Sequence, residues 1–241
     1  MPVKFDTSLA YQMYIKSGGS TKFPNSLKAV LDFTQNDVNL NNAKETAYLL
    51  ATAKAESDYL LTRWEADYLC GEKGVPYRHQ PCPAALNYYR STKGGKSNYY
   101  TKGVDSTGIP YFGRGLIQLT NKYNYKRYGD LIGENLVANA DLALKPENSY
   151  KITSAYLNRK TYKYVNKGDL RQARISVNGG TKGVDRTNQS YYRWLSVLEN
   201  PAVNFQVYFW TKKRRIIAGI GVLIALLGGG FLIYRGIKSK K

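Results

Sequence analysis

The chain has 241 residues, with 36 Lys or Arg against 17 Asp or Glu, a formal net charge of +19. That balance calls for an anionic partner: nucleic acid, a membrane surface or a bacterial wall. The 22 tyrosines are spread along the chain and form no RNP-type motif, which argues against a nucleic-acid module, and two cysteines with a single histidine offer no recognisable zinc spacing.

The N-terminal segment MPVKFDTSLAYQ lacks the apolar core of a secretory leader. A short helix is predicted over 24–35, entered through Pro24–Ser26, with Leu27, Val30, Leu31 and Phe33 as its apolar positions. A longer one is predicted over 43–60, rich in alanine and leucine and capped by Asn41 or Asn42. Residues 66–110 are rich in Gly, Pro, Ser, Thr, Asn and Tyr and read as a long, functional loop. Cys70 and Cys82 fall in it, together with His79; they form either a disulfide or two free thiols, and no metal site is expected. Helical signals return over 121–132, 146–158, 169–177 and 187–199, the last with Tyr191, Trp194, Leu195 and Leu198 on one stripe. Strand signals are few and no repeat is present. The expectation is a mainly α domain over residues 1–211, with helices arranged around a cleft.

The tail differs in kind. Residues 216–234, IIAGIGVLIALLGGGFLIY, are 19 residues without a charge. As a helix they reach about 28 Å, close to the hydrocarbon thickness of a bilayer. Basic clusters bound both ends, and Tyr208, Phe209 and Trp210 stand where an interfacial aromatic belt would lie. Residues 212–241 therefore read as a single-pass C-terminal anchor. They carry 8 of the basic residues and no acid, which leaves residues 1–211 at +11. The clusters are equal in charge, so the positive-inside rule does not orient the span.

Hydrolysis of a glycosidic bond needs a protonated carboxylic acid at the leaving oxygen and usually a second carboxylate across a cleft. Glu56 is the first candidate. In a helix continuing to residue 60, Leu49, Ala53, Glu56 and Leu60 share one face, which sets a carboxyl group at the rim of the core. Glu65 lies nine residues later and serves as the partner only if the helix ends near Leu60 and the chain turns back. Asp58, Asp67 and Glu72 compete with it.

Four pieces in order, ATAKAES (51–57) followed by RWE (63–65), YFGRGLIQLTNKYNY (111–125) and ARISVNGG (173–180), resemble the glycoside hydrolase family 19 chitinases and the related phage endolysins. GENLVANADLALKPENSYKI (133–152) is similar to the stretch those endolysins place after the Gln-Leu-Thr motif. The resemblance covers roughly residues 27–198 and implies a lysozyme-like α-helical fold that hydrolyses with inversion. It makes Glu56 the general acid, Glu65 the base that activates water, and Thr120 the hydroxyl that helps hold that water. It makes Gln118, Asn124 and Asn178 sugar-binding amides. Tyr111 and Trp64, and also Tyr123, offer flat faces to sugar rings, although core packing is the more natural role for Tyr123 and Tyr125. Gly113 and Gly115 let backbone approach a ligand. Two departures stand out: Ala55 where the family usually has histidine before the acid, and Ile175-Ser176-Val177-Asn178 where Arg-Ile-Ile-Asn or Arg-Val-Ile-Asn is usual, with Arg174 one place earlier.

The leading expectation is a membrane-anchored enzyme that cuts peptidoglycan, needs no cofactor, and sits in a virion membrane or a host inner membrane. A chitinase and a catalytically inactive glycan-binding virion protein are the rivals.

Overall fold

The computed structural model describes residues 4–65, 83–84, 103–106 and 110–204. The expected anchor 212–241, the two cysteines, His79, Asp67 and Glu72 lie outside the described residues. No helix among the described residues is long and apolar enough to cross a membrane.

Among the described residues, these α-helices follow in chain order. They are α1 Thr7–Lys16, α2 Pro24–Thr34, α3 Ala43–Ser57, α4 Lys122–Ile132, α5 Pro146–Lys160, α6 Tyr162–Val165, α7 Leu170–Asn178 and α8 Val184–Leu198, with a 3-10 helix at Ala140–Leu144. Their starts obey local chemistry. The Asn42 side chain accepts from Glu45 N at 2.9 Å, and Glu45 Oε2 reaches back to Asn41 N at 2.7 Å, so a reciprocal cap opens α3. The Asp6, Asn121 and Asp169 side chains accept from Leu9 N, Tyr123 N and Gln172 N to cap α1, α4 and α7, and proline opens α2 and α5.

Helix α3 is the axis of the fold. Every residue from Glu45 to Ala53 is buried, so the helix has no single apolar stripe, and its alanines let α8 pack along its length. Tyr14 of α1 stacks on Trp194 of α8 with ring centroids 4.1 Å apart, and Trp194 Nε1 donates to the Tyr59 hydroxyl at 2.9 Å. The Tyr59 hydroxyl in turn donates to that of Tyr14 at 3.0 Å. This buried trio holds the chain at the point where α3 stops.

It stops earlier than the composition suggests. Asp58 and Tyr59 are left-handed, with φ of 53° and 69°, which ends the helix at Ser57. Leu60 therefore does not share a helical face with Glu56, and the four-residue stripe expected there does not form. Asp58 is used as a cap, pairing with Lys54 and accepting from Lys22 N at 2.9 Å.

Candidate active site

Glu56 occupies the last turn of α3, where the helix leaves the core, and its side chain is 19% exposed. Its one described partner is Arg174 of α7, whose Nη1 donates to Glu56 Oε1. Arg174 Nε donates to the Lys182 carbonyl at 3.1 Å, and Asn178 Nδ2 donates to the same oxygen at 3.0 Å. Gly180 N closes the loop on Asn178 Oδ1 at 3.0 Å. Arg174 and Asn178 thus clamp the turn after α7, and the arginine is delivered to the carboxylate already oriented. On α3, below Glu56, burial pushes the Tyr48 hydroxyl well above its ordinary value; the Arg174 charge opposes that rise and the Glu56 charge adds to it.

Glu65 is held by backbone. After the left-handed turn the chain runs back past the Gly-Arg-Gly segment, where Trp64 and Arg114 form an antiparallel bridge. Glu65 N donates to Gly113 O at 2.7 Å, and Gly113 N donates to Glu65 Oε2 at 3.2 Å. Arg114 and Leu119 exchange bonds of 3.1 and 2.8 Å, closing a tight hairpin. Gln118 sits in it at φ 53° and donates through Nε2 to Arg63 O at 3.2 Å and Gly115 O at 2.9 Å. Left-handed backbone at a non-glycine residue persists only where the surroundings over-determine it.

Arg114 supplies the pin. Its side chain is fully buried, with Nε on Asp141 Oδ1 at 2.9 Å and Nη1 on the Tyr125 hydroxyl at 2.9 Å. Nη1 also reaches the Pro110 and Phe112 carbonyls, and the guanidinium lies 3.7 Å from the centroid of the Phe112 ring. Burial pushes the Tyr125 hydroxyl up to about 12. Gly115, at φ 74°, is equally constrained: a Cβ there would stand 2.8 Å from Ser149 Oγ and 3.0 Å from Ala143 O. The close approach that needs glycine here is made by the protein itself, as is that at Gly113, which faces Gln118 and Glu65.

Thr120 Oγ1 donates to Gln118 O at 2.8 Å, and Asn124 Nδ2 donates to Thr120 O at 2.9 Å, so both lie on the rim that leads from the hairpin into α4. Two aromatic expectations are overturned. Tyr111 is 2% exposed, its hydroxyl donating to Val137 O at 2.7 Å and its ring packed on Tyr125; it is a core residue. Trp64 is 6% exposed and packs on Phe112. Tyr125 is buried as expected, whereas Tyr123 is 60% exposed because the first turn of α4 points it outward. The residues missed from sequence are Arg174 as the partner of Glu56 and Asp141 as the partner of Arg114. Arg174 was visible as an arginine displaced by one position; Asp141 carried no signal.

Residues 73–161 match the family Glyco_hydro_19, chitinase class I. A stretch of 33 residues is 64% identical to Chitinase 11 of Oryza sativa subsp. japonica; it spans 14% of this chain and only 13% of the rice protein. The fold is similar to that of chitinase C from Streptomyces griseus HUT6037, with a TM-score of 0.52 and 19% identity over 80% of this chain and 76% of that one. A class IV chitinase from Zea mays superposes with a TM-score of 0.47 and 16% identity over 83% and 96% of the two chains. In sequence along residues 73–161, and in fold over most of its length, the chain is similar to the family 19 glycoside hydrolases.

Proposed function

We propose that the protein is a glycoside hydrolase that cuts the N-acetylated glycan strand of peptidoglycan with inversion, tethered to a bilayer by residues 216–234. The observation that carries the reading is the placement of two carboxylates on either side of one left-handed turn. Glu56 sits on a rigid helix with a guanidinium on its Oε1, and Glu65 is fastened to Gly113. In this scheme Glu56 gives its proton to the glycosidic oxygen, and Arg174 stabilises the carboxylate that appears as the proton leaves. Glu65 takes a proton from the attacking water. The Thr120 hydroxyl has its own proton on Gln118 O, so it meets that water as an acceptor and turns the second water hydrogen away from Glu65.

The substrate choice rests on charge and address. A body at +11 suits an acidic wall polymer better than neutral chitin, and a tethered enzyme acts on polymer beside a membrane. An entry enzyme mounted in the virion membrane of a lipid-containing bacteriophage fits this architecture.

The test is turnover by the full chain on purified sacculi and on chitin oligomers, with the anomer of the first product read by NMR. Inverted product from sacculi is expected. Turnover of chitin alone makes it a chitinase, and binding to both without turnover makes it a glycan-binding protein. The anchor is checked separately: the full chain should stay with membranes through a carbonate wash, and a chain ending at Tyr208 should not.

A further inference from the structure

We propose that the exposed face shared by α4 and the end of α5 binds the peptide carboxylates of the wall glycan, through Tyr123, Arg127, Arg159 and Lys160. The inference rests on the reading of the protein as a peptidoglycan hydrolase and extends it to how the polymer is held outside the catalytic residues.

Helix α4 starts two residues after Thr120 and exposes Lys122 and Tyr123 in its first turn, next in the chain to the rim residue Thr120. Arg127 lies one turn on. Its guanidinium sits 4.6 Å from the centroid of the Tyr123 ring and donates to the Tyr123 hydroxyl. A hollow of about 350 Å³ opens beside them, lined by Tyr123, Arg127, Leu131 and Arg159, with Lys126 and Asp130. The last turn of α5 brings Arg159 into the same hollow, and Lys160 follows it in the chain with its Nζ 4.5 Å from the centroid of the Tyr156 ring.

These cations are close enough to oppose one another. Burial and the charges of Arg127 and Arg159 together push the Lys160 ammonium below its ordinary value. Among the described residues, Arg127, Arg159 and Lys160 have no carboxylate partner, and Asp130, the acid of the hollow, is taken by Lys126 at 2.9 Å. The negative end of α5 accounts for Arg159 and Lys160, but Arg127 stands in the middle of α4 and gains nothing from a helix terminus. What relieves three neighbouring cations is an anion brought from outside. Planar guanidinium groups suit a carboxylate, and an exposed tyrosine beside them suits a sugar ring. A glycan bearing short acidic peptides offers both at once; neutral chitin offers only the rings.

The experiment is co-sedimentation of the full chain, in detergent, with sacculi stripped of phosphodiester polymers. The comparison is between wild type and the triple variant Arg127→Gln, Arg159→Gln, Lys160→Gln. The variant should bind about tenfold more weakly and show a flatter salt dependence, since each exposed charge contributes modestly and ionic strength screens it. Its thermal unfolding and its binding to chitin oligomers should match wild type. Amidation of the sacculus carboxyl groups should bring wild type down to the variant. Equal binding of both proteins to untreated stripped sacculi overturns the proposal. So does wild-type binding that disappears with the phosphodiester polymers, or a variant whose only defect is on anionic lipid vesicles. A binding difference without turnover by either protein leaves this surface standing and removes the hydrolase reading.

Discussion

Among the described contacts, the two carboxylates of the site are met by different kinds of group. Glu56 stands on a helix buried along every residue from Glu45 to Ala53 and is met by one charged side chain from a residue 118 positions later. Glu65 lies on irregular backbone and is met by peptide groups of a hairpin that a buried arginine pins from below. Among the described contacts, a guanidinium meets the proposed proton donor and peptide groups meet the proposed base. The hairpin residues Gly113, Gly115 and Gln118 are spent largely on holding the hairpin, which separates a motif's role in position from its role in binding.

That contrast is broken or sharpened first at the carboxylates. Glu56→Gln keeps the shape and the Arg174 contact but has no proton to give, so turnover should fall by about 10²–10⁴-fold with unfolding unchanged. Glu65→Gln should fall by a similar factor while keeping the Gly113 bond through its amide oxygen. Wild-type rates on sacculi in either variant would remove that residue from the chemistry.

Next comes the pin. Arg114→Ala strips a buried guanidinium from Asp141, Tyr125 and two carbonyls and should cost about 3–5 kcal/mol in urea unfolding. A cost below about 1 kcal/mol would mean that the hairpin does not depend on it. Arg174→Ala should behave in the opposite way: stability should drop by only about 1 kcal/mol, because water reaches Glu56, while kcat drops by about tenfold or more as the new carboxylate loses its counter-charge. An unchanged kcat would show that the ion pair serves only the fold. Gly115→Ala should lose about 1–3 kcal/mol from a left-handed φ and from crowding against Ser149 and Ala143, with no direct effect on the carboxylates. Adding Ser149→Ala should not restore stability, because the Ala143 carbonyl is fixed and Leu116 N then loses its 2.8 Å bond to Ser149 Oγ. Recovery in the double variant would place the whole strain on the hydroxyl.

Most helices could be read directly. Leu27, Val30 and Leu31 of α2, and Tyr191, Trp194 and Leu198 of α8, face the core as their spacing requires, and caps and prolines mark the starts. Helix α1 leaves no period in the sequence because it buries only Ala10 and Tyr14, although Asp6 caps it at 2.8 Å from Leu9 N. The end of α3 is hidden in the sequence for a different reason. Asp58 and Tyr59 are ordinary residues forced left-handed, and what forces them is the Tyr14–Tyr59–Trp194 network, assembled from three distant parts of the chain.

By itself the sequence determined the helical class, the position of most helices and the apolar character of 216–234. Each of these depends on neighbours within a few residues or on a short motif. Only the tertiary structure decided which aromatics face inward, that Arg114 and Asp141 meet in the core, and that Arg174 rather than a nearby lysine answers Glu56. Those outcomes depend on burial and on charges brought together from more than twenty residues apart, and local spacing carries no record of which distant residue will arrive.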